Sequence, residues 1–134
     1  MNFLDTNIIL RFVLNDHPIY SPKAAAVFSK IIDQKKKVYT SWLVIFEAVF
    51  VLQNTHKLKK VDISQKLLPI LQNIIFDQKR LLAETFQYYV DKNVSFADAF
   101  HVALMNKKDI SQIYSFDKDF DKFPKIKRLE SYSN

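Results

Sequence analysis

The amino-acid sequence predicts an α/β fold in which a mainly parallel central β-sheet is flanked by α-helices on both faces. Short segments rich in β-branched and aromatic residues alternate with longer segments whose apolar residues recur at helical spacing. Strands joined by helical crossovers form parallel sheets, and helices cover both faces of such sheets. The chain has 134 residues, no glycine and four prolines, and no stretch of it has the composition of a linker. We therefore expect one domain over residues 1–134.

The first predicted elements alternate between strand and helix. A short strand at residues 2–4 precedes a helix at residues 7–14, which we expect to be largely buried because it is rich in Ile, Leu, Phe and Val. Ser21 followed by Pro22 is typical of an N-cap and a first helical residue, and this pair predicts a helix to about residue 32. Residues 38–40 have strand composition.

The remaining elements continue this alternation. Ser41 is a suitable N-cap for a helix over residues 42–54. Further predicted helices are residues 61–72, 81–90 and 95–106, and further strands are residues 74–76, 112–116 and, after Pro124, an edge strand at residues 126–129. In such a sheet, ligands bind beyond the carboxyl ends of the strands. Acidic residues that directly follow a strand are therefore candidate functional groups.

The bulk composition limits the class of protein. Hydrophobic residues make up 49% of the chain and charged residues 25%, which is typical of globular domains rather than disordered segments. Since there is no cysteine, the sequence excludes both a disulfide framework and a thiolate metal site. The N-terminal residues do not have the pattern of a signal peptide, and the apolar run at residues 42–52 is too short to span a bilayer. We therefore expect a cytoplasmic protein.

The charge of the chain favours an acidic partner. The formal net charge is +6, which promotes contacts with polyanions such as nucleic acid, although lysines that only keep a protein soluble give the same balance. Eight lysines form three clusters along the sequence: Lys35, Lys36 and Lys37; Lys57, Lys59 and Lys60; and Lys107 and Lys108. These clusters are candidate contacts to a phosphate backbone, and each is also compatible with an ordinary solvated surface.

Two acidic residues follow predicted strands. Asp5 lies between the first strand and the first helix, and Asp117 follows the strand that ends near Phe116. Each also has a structural explanation, because aspartate is a common helix N-cap and a common residue of solvated turns.

Two further acids interrupt apolar helices. Glu47 is the only charged residue between Trp42 and Leu52, so it is either a buried carboxylate that needs a cation or a residue on a helix face that reaches water or an arginine. Asp98 lies in the apolar helix at residues 95–106, where Ser95 and Asp98 have the spacing of a capping box. The capping box accounts for Asp98 alone and does not apply to the other three acids.

Convergence of the four acids would favour a divalent metal ion. Two carboxylates about 4 Å apart repel each other by about 4 kcal/mol at a typical effective dielectric constant, and a divalent cation removes that repulsion. Oxygen ligands without any thiolate favour Mg²⁺ or Mn²⁺, which retain bound waters and recruit substrate phosphates. A metal ion held in this way activates water for attack on a phosphodiester, as in many nucleases.

The chain resembles the PIN-domain family, and within it the VapC toxins of toxin–antitoxin systems. The residues that carry the resemblance are Glu47 and the segments at residues 4–11, 96–103 and 114–120, and the resemblance covers nearly the whole chain. The resemblance implies a PIN-like α/β fold and a metal-dependent endoribonuclease. It also implies a homodimer, and inhibition by a small antitoxin protein that obstructs the active site.

Individual residues match the functional positions of the family. Asp5, Glu47 and Asp98 match its three central acids, and Asp117 matches its fourth acid, so the resemblance implies that these four residues bind Mg²⁺ or Mn²⁺ and carry the catalysis. Asn7 and Ser115 match polar residues that support the metal or its waters.

Three other residues are candidates for the metal site, and each has a structural explanation as well. His101 follows Asp98 by three positions and could share its helix face, but a histidine in an apolar helix is more often a packed residue. Asp119 and Asp121 could touch a second metal ion, but both are more readily explained as solvated turn acids. A calcium-binding loop that starts at Asp117 is excluded, because Lys122 occupies the position that requires glycine.

Two alternative functions compete with the ribonuclease. Phosphohydrolases with an aspartate nucleophile carry a second acid two positions after the first, whereas this chain has Asn7 there. A PIN-like RNA-binding or scaffold module without turnover is the non-enzymatic alternative, and the presence of all four acids argues against it.

Overall fold

The computed structural model describes residues 1–131, and its helices agree closely with those predicted. They are α1 (Thr6–Leu14), α2 (Tyr20–Ile32), α3 (Trp42–Phe50), α4 (Lys60–Leu71), α5 (Leu82–Asp91) and α6 (Phe96–Lys107). A π-helical turn, Val51–Thr55, continues α3, and 3₁₀ turns occupy Lys79–Leu81 and Lys118–Lys122. Among residues 1–131, no helix is both long enough and apolar enough to cross a lipid bilayer.

The strands are short and pair in parallel. β1 (Asn2–Phe3) pairs with β2 (Val38–Tyr39), and β3 (Gln112–Tyr114) pairs with β4 (Lys127–Leu129). Residues 74–76, predicted as a strand, contribute one parallel bridge from Ile75 to Tyr39. Helices connect the paired strands β1 and β2, so the predicted α/β class with parallel strands is confirmed.

The chain divides into two compact units, Met1–Arg80 and Leu81–Asn134. In the first unit, β1 is tied to β2 by a hydrogen bond of 2.8 Å from the Leu4 N–H to the Tyr39 carbonyl, and the buried Thr40 hydroxyl donates to the Leu4 carbonyl at 2.8 Å. The core of this unit is apolar, and its fully buried side chains include Ile9, Phe28, Ile31, Ile45, Val49, Leu52, Ile63, Leu67, Leu71 and Ile74.

Two expectations for the first two helices were wrong. In α1 only Thr6 and Ile9 are buried, so this helix is not largely buried. Helix α2 begins at Tyr20, so Ser21 is not its N-cap. Instead, the His17 Nδ1 atom accepts the N–H groups of Ile19 at 3.2 Å and Tyr20 at 2.9 Å. The Ser21 hydroxyl accepts the His17 N–H and donates to the Arg11 carbonyl, which joins α2 to α1.

The second unit is built around an aromatic cluster between α5 and α6. The rings of Phe86 and Phe96 are 4.9 Å apart and those of Tyr89 and Phe96 are 5.5 Å apart, both in edge-to-face geometry. Burial raises the pKa of Tyr89 to about 12. Because Phe96 is the first residue of α6, this cluster fixes the N-terminal end of that helix.

Several helices are followed by a non-glycine residue in the left-handed backbone conformation, which glycine usually adopts at such positions. Among residues 1–131, six have positive φ angles between 48° and 59°: Asn15, Gln34, Lys57, Gln78, Asn93 and Asp109. Asn15 directly follows α1, and its N–H donates to the Arg11 carbonyl as a C-terminal cap. Since the chain has no glycine, other residues must adopt this conformation.

Candidate functional site

Asp98 lies in the first turn of α6, where the aromatic cluster and a helix cap hold it. The Ser95 hydroxyl accepts the Asp98 N–H at 3.0 Å, so the predicted N-cap is present. This bond uses the backbone N–H of Asp98 and not its carboxylate. The Asp98 side chain is half-buried.

Asp117 and Asp119 follow β3 in two consecutive tight turns. The Ser115 hydroxyl accepts the Asp117 N–H at 3.0 Å, and the Asp117 Oδ1 atom accepts the Asp119 N–H at 2.9 Å. Both are side-chain-to-backbone turns of the kind that serine and aspartate favour. They place the two carboxylates beside each other beyond the carboxyl end of a parallel strand, as the fold class predicted.

The structure brings Asp98, Asp117 and Asp119 together. One carboxylate oxygen of each residue lies within 4.8 Å of the other two. Two oxygens bound to the same Mg²⁺ ion are at most about 4.2 Å apart, since each metal–oxygen distance is about 2.1 Å. The three side chains therefore fit a hard divalent cation after small rotations.

The electrostatics of Asp98 reflect this crowding. Burial raises its pKa, the Ser95 hydroxyl lowers it, and the neighbouring Asp117 carboxylate raises it again. His101 lowers the pKa of Asp98 through its charge. The net direction is upward, so the ionised form of Asp98 is disfavoured in the absence of a cation.

Asp119 was ranked too low by sequence reasoning, which explained it as a solvated turn acid. It is half-buried, and one of its oxygens lies 3.2 Å from the Lys122 Nζ atom, which also donates to the Asn93 carbonyl at 3.1 Å. The available signal for Asp119 was its position two residues after Asp117, because an aspartate side chain often accepts the backbone N–H two residues further on.

Asp5 lies directly beyond β1, at the N-cap position of α1. Its backbone is extended there, but its side chain makes no capping hydrogen bond to the helix. The carboxylate is exposed, and so is Asn7 in the first turn of α1. The structural explanation of Asp5 as a helix cap is therefore not supported.

Glu47 is exposed, so the expectation of a buried carboxylate was wrong. The alternative, in which Glu47 lies on a helix face that reaches water, is correct. The buried face of α3 consists of Val44, Ile45, Ala48 and Val49. On its outer face, Glu47 lies between Leu43, which is 75% exposed, and Phe50, which is 64% exposed. The apolar residues around Glu47 in the sequence therefore gave no indication that its carboxylate is accessible to ligands.

The remaining candidates have other roles. His101 is exposed rather than packed and, within residues 1–131, is not part of the carboxylate group. Asp121 is exposed, as expected of a solvated turn acid, and it accepts hydrogen bonds from the Arg128 guanidinium at 3.1 and 3.3 Å. The same guanidinium donates to the Ser115 carbonyl at 3.1 Å and thereby ties β4 to the turn before Asp117. Hydrogen bonds to Asp121 and Glu130 raise the pKa of Arg128.

Fold and site together define an α/β protein with a group of carboxylates beyond the carboxyl end of a parallel strand. The PIN-domain family model matches residues 3–126. The chain therefore belongs to the PIN-domain family.

The relatives that match the chain are named VapC ribonucleases. A VapC ribonuclease of Aquifex aeolicus is 24% identical over 124 residues, which is 91% of each chain. VapC ribonuclease Mb1869c of Mycobacterium bovis and ribonuclease VapC13 of Mycobacterium tuberculosis are each 47% identical over 38 residues, which is 28% of this chain and 29% of the relative. No solved structure matches the chain.

Proposed function

We propose that this protein is a metal-dependent endoribonuclease that hydrolyses RNA phosphodiester bonds with a metal-activated water. The observation that carries the proposal is the group formed by Asp98, Asp117 and Asp119 in a chain that the PIN-domain model spans. The name ribonuclease, which the relatives carry, supports RNA as the substrate.

The chain supplies oxygen ligands and fixed geometry at this group. Asp98, Asp117 and Asp119 would hold Mg²⁺ or Mn²⁺, and such an ion supplies Lewis acidity toward the phosphate and lowers the pKa of water. Ser95 and Ser115 hold the backbone beside two of these acids through their hydroxyl groups. Asp117 is exposed, so water and a substrate phosphate can reach it.

For Asp5 and Glu47 we propose the same catalytic and metal-binding role as for Asp98 and Asp117. Both carboxylates are exposed, and that of Asp5 makes no capping hydrogen bond. Their match to the central acids of the family supports the same role here.

The charge of the surface supports a polyanionic substrate. In the three lysine clusters every lysine is exposed except Lys60, which is partly exposed. Exposed lysines contact phosphates without regard to sequence. They would hold an RNA strand while the acids act on one phosphodiester.

The biological role that we propose is that of a cytoplasmic toxin, homodimeric and inhibited by a small antitoxin protein. The VapC names of the relatives support this role. Leu43 and Phe50, exposed on either side of Glu47, offer apolar surface that a partner chain would cover.

RNA cleavage by the purified protein in Mg²⁺ or Mn²⁺ tests the enzymatic proposal. A panel of structured RNAs is incubated with the wild-type protein, with a chelator, and with the variants Asp5→Asn, Glu47→Gln, Asp98→Asn and Asp117→Asn. Loss of a metal-binding carboxylate should lower the cleavage rate on the order of 100-fold or more.

Asp91→Asn is the matched control, because Asp91 is an exposed acid at the end of α5. It should cleave like the wild type. Full activity in chelator would exclude metal catalysis, whereas metal-independent RNA binding without cleavage across the panel would favour the non-enzymatic module. Full activity of one variant would remove that residue from the catalytic set.

A further inference from the structure

A cleft of about 630 Å³ lies in the second unit, lined by α5, α6 and the residues that precede β3 and β4. Ligand pockets in proteins have volumes of roughly 300–1,000 Å³. The buried part of the lining is apolar and includes Val102, Phe123 and Ile126. Asn106 lines the cleft near the end of α6, about 12 Å along the helix axis from Asp98 in the first turn. The cleft is therefore separate from the carboxylate group.

Three polar side chains form a hydrogen-bonded network at one end of this cleft. The Glu84 Oε1 atom accepts the Tyr88 hydroxyl at 2.7 Å and the Asn106 Nδ2 group at 2.9 Å, and Asn106 Nδ2 also donates to the Tyr88 oxygen at 2.9 Å. Burial and the bond to Glu84 raise the pKa of Tyr88 to about 12, so its hydroxyl stays protonated. The network thus uses the one proton of the hydroxyl and both protons of the amide.

The groups that this network leaves for a ligand are acceptors. Among residues 1–131, Glu84 accepts hydrogen bonds only at Oε1, and the Asn106 Oδ1 atom lies outside the network because the amide nitrogen faces Glu84. Asp109 is an exposed acid that lines the same end, since its N–H donates to the Asn106 carbonyl at 3.2 Å. An ammonium group has three N–H donors, and each of these three residues offers it an oxygen.

A lysine marks the other end of the cleft. Glu84 lies in the first turn of α5 and Lys92 follows the last, so about 12 Å separate them along the helix axis. The ring of Phe123 lies 5.1 Å from that of Tyr88 and 5.8 Å from the Lys92 Nζ atom, which places apolar surface between the two ends. With the exposed Lys125, the lining has two carboxylates and two ammonium groups. A ligand that carries one charge of each sign matches this cleft.

We propose that the cleft binds a short zwitterionic peptide of about three residues, with its amino terminus at Glu84, Asn106 and Asp109 and its carboxylate at Lys92. Three extended residues span at most about 10–11 Å, which matches the separation of the two ends. An apolar central side chain packs on Ile110, which lines the cleft and is 46% exposed. This site goes beyond the proposed ribonuclease function and does not depend on it.

Titration with the tripeptide alanyl-leucyl-alanine, followed by nuclear magnetic resonance of the isotope-labelled wild-type protein, tests the site. The backbone amide signals of Asp109, Ile110 and Ser111 should shift and saturate at millimolar peptide. The N-acetylated tripeptide lacks the ammonium group and the C-amidated tripeptide lacks the carboxylate. Each modified peptide should therefore bind about 10-fold more weakly than the unmodified one.

Variants at the two ends test the contacts. Glu84→Gln removes the charge at nearly constant shape and should weaken binding about 10-fold or more. Asp91→Asn is the matched control, because Asp91 is an acid of the same helix that does not line the cleft, and it should bind like the wild type. Lys92→Gln should weaken binding of the unmodified tripeptide but not of the amidated one, which lacks the group that Lys92 contacts. The unfolding temperature of each variant confirms that it is folded.

The outcomes are independent of RNA cleavage. Equal binding of the unmodified, acetylated and amidated tripeptides would refute recognition of the charged ends, and so would the absence of saturable shifts at millimolar peptide. Shifts centred on Asp98 and Asp117 would place the peptide at the carboxylate group and overturn the assignment. Saturable binding that requires both termini, Glu84 and Lys92 would establish the peptide site, whether or not the protein cleaves RNA.

Discussion

At the scale of the residue, the site depends on carboxylates that the fold holds in close proximity. Asp98, Asp117 and Asp119 are brought within 4.8 Å of one another by a helix cap and two turns. The pKa of Asp98 is raised, first by burial and then by the neighbouring Asp117 carboxylate. Repulsion of this kind favours a bound cation over the empty site. The same repulsion makes the unfolding temperature of the metal-free protein sensitive to a single carboxylate.

We expect Asp98→Asn to raise the unfolding temperature of the metal-free protein at neutral pH. The raised pKa means that folded Asp98 binds its proton more tightly than unfolded Asp98 does. Protonated Asp98 therefore stabilises the folded state fully below the ordinary pKa of aspartate, and this stabilisation is lost as the pH rises through the raised pKa of folded Asp98. Thermal unfolding in chelator, monitored by circular dichroism, measures the unfolding temperature. The increase produced by Asp98→Asn should become smaller as the pH is lowered.

Glu47→Gln is the matched comparison, and we expect it to leave the unfolding temperature unchanged because Glu47 is exposed. A destabilised Asp98→Asn protein in chelator would show that the Asp98 carboxylate supports the fold, which would count against a strained metal site.

Sequence reasoning singled out candidate acidic residues but misjudged the burial of Glu47 and the position of Asp119. Asp98 and Asp117 were predicted as site residues, and the structure brings them together. Burial of Glu47 could not be derived from its neighbours, since an apolar helix has an exposed face whenever the fold covers only one side of it. The membership of Asp119 depended on the turn in which Asp117 Oδ1 accepts the Asp119 N–H.

At the scale of the element, the helices were predictable and their ends were less so. Apolar spacing predicted all six α-helices to within a few residues, and the serine caps of α3 and α6 are confirmed. The start of α2 was wrong because a histidine, which sequence patterns rarely assign as a cap, supplies the acceptor. The strands are shorter than predicted, because few of their residues form paired hydrogen bonds.

Replacement of the α2 cap provides a test at this scale. We expect His17→Ala to lower the free energy of unfolding by about 1 kcal/mol, because the N–H groups of Ile19 and Tyr20 lose their acceptor. His17→Asn should retain much of the stability, since asparagine is a good cap. Urea unfolding measures the difference, with His56→Ala, at an exposed histidine, as the control. Equal stability of His17→Ala and the wild type would refute the cap.

At the scale of the whole molecule, the α/β class and the parallel pairing of strands were predicted from the alternation of segments. The chain forms two compact units, each with its own sheet of two strands. Sequence patterns contain no signal for this division, because residues near Arg80 have ordinary composition. The expectation of one domain over residues 1–134 stays a prediction.

Addition of a metal ion should stabilise the whole chain. A ligand that binds only the folded protein contributes about 2.7 kcal/mol when its concentration is one hundred times the dissociation constant, which corresponds to a rise of several degrees in unfolding temperature. We expect Mn²⁺ and Mg²⁺ to produce this rise in the wild type, and chelator to reverse it. In Asp117→Asn the rise should be much smaller. An equal rise in both proteins would mean that the metal ion binds elsewhere.

The absence of glycine affects both sides of the folding equilibrium. Six non-glycine residues hold left-handed backbone conformations in the native state, each at a cost of about 1–2 kcal/mol, somewhat less for Asn15, Asn93 and Asp109. A chain without glycine also samples fewer conformations when it is unfolded, so it loses less entropy on folding. Native strain at these six positions is therefore opposed by a narrower unfolded ensemble, and the net stability of this protein depends in part on exposed residues outside the core.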